Sequence, residues 1–286
     1  MQKITSILAV IENSGTGDQV LDKAVALARH FSARVEMLVA DSTLTPEFAA
    51  RCATRGYDEV TIGSLFRSSE PLHRILLRRV HERPVDLLIK APAGEHSLRK
   101  WTLSASDREL ASDCPAPVLL AGEKPWDRPM RFAAAVDVSD PDTTIVARGV
   151  LQVAGFLALG CHGNLDILYS EREAQDETLR MERAVKLAQL VREFHVGCER
   201  LQMFGGAPEE RLPPLIAARQ YDVLVLGAVT HRDEAFLPAQ NLTARLSEST
   251  PGDVVLVKTE NSGPGDTRSR ATSTRQKIPH QAEELV

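Results

Sequence analysis

The sequence predicts an α/β protein of two tandem, five-stranded, doubly wound parallel-sheet domains, and three observations carry that expectation. First, short runs of Val, Ile and Leu alternate with amphipathic segments along most of the chain, the pattern of a parallel sheet buried on both faces. Second, the pattern occurs twice. Val85-Asp86-Leu87-Leu88-Ile89 resembles Tyr221-Asp222-Val223-Leu224-Val225, 136 positions on, and Pro115-Ala116-Pro117-Val118-Leu119-Leu120 resembles Pro251-Gly252-Asp253-Val254-Val255-Leu256 at the same separation. Val35-Glu36-Met37-Leu38 pairs with Leu165-Asp166-Ile167-Leu168 at 130, and Ile11-Glu12 with Val136-Asp137 at 125. Separations that drift only by loop-sized amounts mark a duplicated domain rather than a solenoid. Third, a chain of 286 residues, 43% hydrophobic and 26% charged, has the length for about two domains and an ordinary globular composition.

The elements follow in order. In the first copy Ile4–Ile11 reads as a strand and Gln19–Phe31 as a helix with Val20, Ala24, Leu27 and Ala28 on one face. Val35–Ala40, Glu59–Ile62, Val85–Ile89 and Val118–Ala121 read as further strands. The second copy repeats the plan with strands Ala133–Val136, Leu165–Leu168, Arg200–Phe204, Val223–Leu226 and Val254–Val257. Its helices are expected at Thr143–Leu159, Glu177–Phe194, Glu209–Arg219 and Asn241–Glu248. Right-handed crossovers between such strands give a doubly wound sheet. The copies differ between their second and third strands. The second has a long helical segment, Glu171 to His195, whereas the first has only Asp41 to Asp58, so its helix there is shortened and the neighbouring copy is expected to cover the sheet. The domains are placed at 1–124 and 129–260, followed by a polar tail, 261–286, whose Ser, Thr, Gly and Pro content predicts disorder.

Charge and cysteine usage narrow the function. Lys and Arg number 34 against 39 Asp and Glu, a formal net charge of −5, which argues against a nucleic-acid partner. Cys52, Cys114, Cys161 and Cys198 form no C-x-x-C pair and fit free thiols in a reducing compartment. The longest uncharged stretch, Gly149 to Leu165, contains Gln152, His162 and Asn164. It reads as a buried helix plus turn, not a membrane span. The expected location is the cytoplasm.

At this point the residues resemble a family. The duplicated five-strand plan is similar to tandem universal stress proteins, the E-type double-domain members above all. The resemblance is carried by Ala135-Val136-Asp137 ending the second copy's first strand, by Gly206-Ala207-Pro208-Glu209-Glu210, and by Asp222-Val223-Leu224-Val225-Leu226-Gly227. In the first copy it is carried by Ser106-Asp107, Leu110 and Cys114-Pro115-Ala116-Pro117-Val118. It implies an adenine-nucleotide-alpha-hydrolase-like fold, pairing of the two copies as a pseudo-dimer through their last strands, further dimerisation, a ligand cleft at the carboxyl ends of the strands, and a role in stress survival. Some members bind ATP there through a G-x2-G-x9-G-[ST] loop.

That loop is altered here. Glycines let backbone amides approach phosphates, but after Gly227 the second copy places Thr230 at the second glycine, Gln240 at the third and Asn241 at the Ser/Thr. A β-branched Thr230 in left-handed backbone would cost about 1–2 kcal/mol. Pro238 stiffens the spacer, and Asp233 and Glu234 add negative charge. The first copy departs further, with Ala91, Gly94 and Ser104-Ala105 at those places. The expectation is a cleft in the second copy, lined by Asp137, Gly227, Thr230, Gln240 and Asn241, that holds a small molecule other than ATP; the alternatives are an ATP- or AMP-binding stress protein with slow hydrolysis and a ligand-free interaction scaffold. Asp137 either contacts a ligand or caps the turn that follows; Asn241 reads as a helix N-cap.

Other candidates carry bland readings. Asn13-Ser14-Gly15-Thr16-Gly17-Asp18 partly resembles a nucleotide loop but lacks G-x-G-x-x-G, since Val20 holds the last position, and reads as a plain turn. Cys161-His162 lacks partners at metal-ligand spacing. Arg74, Arg78, Arg79, His81 and Arg83, with Arg67 upstream, form the solvated face of a helix whose Leu72, Ile75, Leu76 and Val80 face the sheet. No Ser-His-Asp set or H-E-x-x-H motif points to an enzyme.

Overall fold

The computed structural model describes residues 4–64, 69–92, 104–126, 129–171, 176–194, 197–228 and 252–258. In the first half the strands are β1 (Ser6–Ile11), β2 (Arg34–Val39), β3 (Val60–Ser64), β4 (Leu87–Lys90) and β5 (Val118–Leu120), with helices α1 (Ser14–Phe31), α2 (Thr45–Arg55), α3 (Leu72–Glu82) and α4 (Ala105–Asp113). In the second half they are β6 (Arg131–Ala135), β7 (Asn164–Glu171), β8 (Arg200–Gly205), β9 (Val223–Ala228) and β10 (Asp253–Lys258), with α5 (Pro141–Gly160), α6 (Glu177–Glu193) and α7 (Pro208–Arg219). Helix Asn241–Glu248, the tail 261–286, Arg67, Gly94, Thr230, Gln240 and Asn241 lie outside the described residues.

The ten strands make one sheet in the order β3-β2-β1-β4-β5-β10-β9-β6-β7-β8. Neighbours are parallel except β5 and β10, which run antiparallel with Leu119 opposite Val255. From the centre outward, both halves repeat one strand order.

Alternation along each strand feeds two cores. Ile7, Ala9 and Ile11 belong to the core that α1, α2, α5 and α6 cover, while Leu8 and Val10 belong to the one that α3, α4 and α7 cover. Burial on both sides is why these strands read as unbroken apolar runs. The repeat extends to helix ends: Ser32 after α1 and His162 after α5, 130 positions apart, both adopt left-handed backbone, with φ of 54° and 48°.

Two expectations are corrected. Helix α1 begins at Ser14, not Gln19, because the Asn13 side chain accepts from the Thr16 N–H at 3.1 Å and caps it. Gly15 and Gly17 therefore stand in its first turns, and there is no glycine-rich loop. The short segment after β2 still forms an 11-residue helix, α2, whose Phe48 and Cys52 are buried in the core. It covers the sheet that the neighbouring copy was expected to cover. Gly17 makes room for it, since a Cβ there would sit 2.3 Å from the Phe48 ring.

Helix α5 is long and apolar enough to cross a membrane by length and composition. Its Ala147, Val150, Leu151, Ala154 and Leu157 are instead buried against the sheet, as expected of a core helix. Arg78 and Arg79 of α3 pair with Glu70 and Glu36, while Leu76 and Val80 are buried.

Candidate ligand clefts at the two switch points

In open α/β sheets, ligands bind outside the carboxyl ends of strands where the strand order reverses. Here those points lie between β1 and β4 and between β6 and β9. The registers align the two: Val10 stands opposite Lys90, and Ala135 opposite Leu226. Lys90 therefore occupies in the first half the position that Leu226 occupies in the second.

The first switch point is filled from within. The Lys90 ammonium lies 2.7 Å from Asp107 Oδ1 and 2.9 Å from Glu12 Oε1, and Lys90 and Asp107 are both buried. Ser104, the N-cap of α4, donates its hydroxyl to Asp107 Oδ2 at 2.9 Å and accepts from the Asp107 N–H. The amino end of α4, where an anion would be favoured, is thus capped by a side chain and holds its own carboxylate.

Among the described residues, the second switch point has no such ammonium. Asp137 follows β6 in an exposed position, and its Oδ1 accepts from the Ser139 N–H at 2.8 Å. The start of α5 is closed by a capping box between Asp140 and Thr143. Burial pushes the Asp140 carboxyl up, but hydrogen bonds from Thr143, Asp142 and Ser139 outweigh it and hold it low. Gly227 lies within β9, and a Cβ there would stand 2.2 Å from Val146 Cγ1 of α5. Its want of a side chain lets α5 approach the sheet.

Strand β7 overruns β6. Its register with β6 ends at Leu168, and Tyr169, Ser170 and Glu171 continue, paired with β8 alone. These residues raise a wall beside Asp137. Arg183 of α6 pairs with Glu171, and Lys186 donates to the Val138 carbonyl at 3.2 Å. Burial, with Asp137 and Glu171 adding to it and Arg183 opposing, pushes the Tyr169 phenol up to about 12, so it stays a hydrogen-bonding hydroxyl at neutral pH. The exposed group at this edge is the Asp137 carboxylate; Tyr169 behind it is 1% exposed, Arg183 is tied to Glu171 and Lys186 to the Val138 carbonyl.

Of the sequence-selected residues, the structure brings Asp137 and Gly227 to this edge. Sequence reasoning missed Lys90, Glu12, Tyr169 and Arg183. The available signal was Lys90 itself, a charge ending an apolar strand where the repeat has Leu226. Cys161, beside His162 at the end of α5, has its thiol pushed up to about 12, by burial above all. Among the described residues no group of three or more His, Cys, Asp or Glu could hold a metal ion.

No family model matches the chain. It is 21% identical over 168 residues to the universal stress protein E homolog of Haemophilus influenzae, a match covering 52% of this chain and 54% of that protein. The chain thus spans about half the length of the curated relative it matches. A putative universal stress protein of Pseudomonas aeruginosa UCBPP-PA14 superposes with a TM-score of 0.75 at 20% identity, covering 89% of this chain and 93% of that one. A functionally unknown protein of Pseudomonas aeruginosa PAO1 gives 0.74 at 22% identity, covering 89% and 92%. The chain is therefore similar over about half its length to one universal stress protein, and it shares the α/β fold of a solved neighbour.

Proposed function

We propose that this chain is a cytoplasmic stress-response binding protein of the tandem, E-type kind, in which two paired domains share one sheet and only the second offers a ligand cleft. The observation that carries the reading is the asymmetry at one register: buried Lys90, held between Glu12 and Asp107, against Leu226. The first cleft is a structural joint. The second, beside Asp137 and Tyr169, takes a small polar molecule and not ATP. Thr230 and Gln240 stand in place of phosphate-loop glycines, and Gly227 is committed to packing against Val146.

A second reading, a ligand-free scaffold, is favoured by one observation: Asp137 already has a turn amide as partner. Native mass spectrometry of the freshly purified chain, followed by mass analysis of released small molecules, separates the readings. A non-nucleotide mass that is lost in Asp137→Ala supports the first, and a bare chain supports the scaffold. One adenine nucleotide per chain sinks the claim that the altered loop no longer serves ATP.

A further inference from the structure

His162 has no metal-ligating partner at ligand spacing in the sequence, yet the fold brings one from 132 positions away. His30 stands in the last turn of α1, and His162 follows the end of α5. Their rings lie with centroids 5.1 Å apart and planes at 84°, and both side chains are exposed. The packing beneath them is fitted. Gly160 ends α5, and a Cβ there would stand 2.5 Å from the buried Phe31 ring and 3.3 Å from His30 Cδ2. Phe31 in turn meets the His30 ring edge-on at 4.9 Å. The left-handed backbone of His162, with φ of 48°, turns the chain at this point. Under the repeat, His30 corresponds to Gly160 and His162 to Ser32, so the counterpart of this pair carries no imidazole.

The spacing of the rings has a chemical meaning. Two imidazoles that share one tetrahedral ion, each nitrogen about 2.1 Å from it, have centroids about 5.2 Å apart, against about 4.5 Å at a right angle. Rotation about χ2, which is soft in histidine, swings the ring nitrogens but leaves the centroid nearly in place. The centroid separation therefore fixes the angle at a shared ion, and the observed 5.1 Å is the tetrahedral value. Two helices also bring their carboxyl-terminal ends here, where positive charge is favoured. Arg29, the cation next to His30 in sequence, is held by Glu59 and the Gly56 carbonyl. Cys161 keeps a buried, protonated thiol and is not counted as a ligand.

We propose that His30 and His162 form an open binding site for Zn2+ or a similar borderline-soft divalent ion. Two imidazoles hold the ion and water completes its coordination, which is why no cluster of three protein ligands marks the place. The ion clips α1 of the first half to α5 of the second. This site is separate from the cleft beside Asp137 and does not depend on it.

Isothermal titration of the chelator-treated full chain with zinc chloride tests the proposal. The wild-type chain should bind one more ion per chain than either His30→Ala or His162→Asn, asparagine being chosen because it tolerates left-handed backbone. Each change should weaken this site at least about tenfold, the lower end of what even an outer partner of a metal ligand is worth. His81→Ala, on α3 at the other face of the sheet, should leave it unchanged. Saturating Zn2+ should raise the Tm of the wild-type chain and not of the two variants, because the ion binds across a joint that unfolding separates. A chain that binds no Zn2+ overturns the proposal and leaves the pair an aromatic contact only. Binding that is unchanged in both His30→Ala and His162→Asn overturns it equally, by placing the ion elsewhere.

Discussion

The Lys23 ammonium lies 2.7 Å from the Asp253 carboxylate across 230 positions of chain, with both side chains 1% exposed. The same ammonium donates to the Gly122 carbonyl at 2.6 Å, and the carboxylate accepts from the Gly122 N–H and the Trp126 indole, each at 2.7 Å. A helix of the first half, the connection between halves and the last strand of the second thus meet at one buried charge pair. Burial pushes the Asp253 carboxyl up, while Lys23, Gly122 and Trp126 pull it back. Removing one partner of such a pair leaves a buried charge, so Lys23→Met should cost about 3–5 kcal/mol in denaturant unfolding. Lys23→Met/Asp253→Asn should recover part of that loss, since no unpaired buried charge remains and the amide oxygen still accepts from one of the two donors, Gly122 or Trp126. A double-mutant cycle followed by Trp126 fluorescence checks it, and additive losses would show that the two residues do not interact.

Asp86 and Asp222, 136 positions apart, do the same work in both halves. Asp86 Oδ2 accepts from the backbone of Thr5 and Ser6 at 2.7 and 3.0 Å, and Asp222 Oδ2 from that of Arg131 at 2.9 Å. Burial pushes the Asp86 carboxyl up, but the Thr5 and Ser6 bonds outweigh it and hold it below its ordinary 3.8. A depressed folded value means the stabilisation is complete above the unfolded value and is lost as pH falls through the folded one. Thermal stability should therefore drop on acidification below about pH 4. Asp86→Asn should cost about 1–2 kcal/mol at neutral pH and flatten that acid limb. An unchanged limb would assign the acid sensitivity to other carboxylates.

Gly227→Ala tests whether this glycine serves packing or a ligand. The added Cβ overlaps Val146, and overpacking of this kind costs about 1–3 kcal/mol. Val146→Ala in the same chain should recover much of the loss in a thermal melt. Failure of that rescue would mean that the glycine answers to something other than α5.

Lys90→Met should destabilise the chain by about 3 kcal/mol or more, because Asp107 is left charged in a buried site. Glu12→Gln should cost less, Glu12 being partly exposed at 28%. Equal costs in chemical denaturation would count against a buried joint centred on Asp107. Neither change should alter ligand occupancy of the second half by native mass spectrometry.

The strands were legible because burial on both faces leaves continuous apolar runs: Val223–Leu226 was read from sequence and observed as Val223–Ala228. The boundaries less so. The start of α1 was read five residues late because Gly15 and Gly17 look like loop formers, and only the Asn13 cap and the approach of Phe48 explain why they sit in a helix. Helix α2 was underestimated because two buried side chains, Phe48 and Cys52, suffice to dock it, too few to make a strong periodic signal. At the candidate edge, Asp137 was singled out from the sequence because it follows a strand end. Tyr169 and Arg183 were not, because they reach the same edge from another strand and another helix.

By itself the sequence determined the α/β class, the duplication and the order of elements, since these rest on local periodicity and on self-similarity at fixed separation. Only the tertiary structure decided that Lys90 lies between Glu12 and Asp107 while Leu226 keeps its counterpart apolar. It alone decided that Gly227 admits a helix and that Lys23 meets Asp253. The reason is that a buried charge is tolerated only beside its partner, and the partner's position is set by the register of strands far apart in the chain.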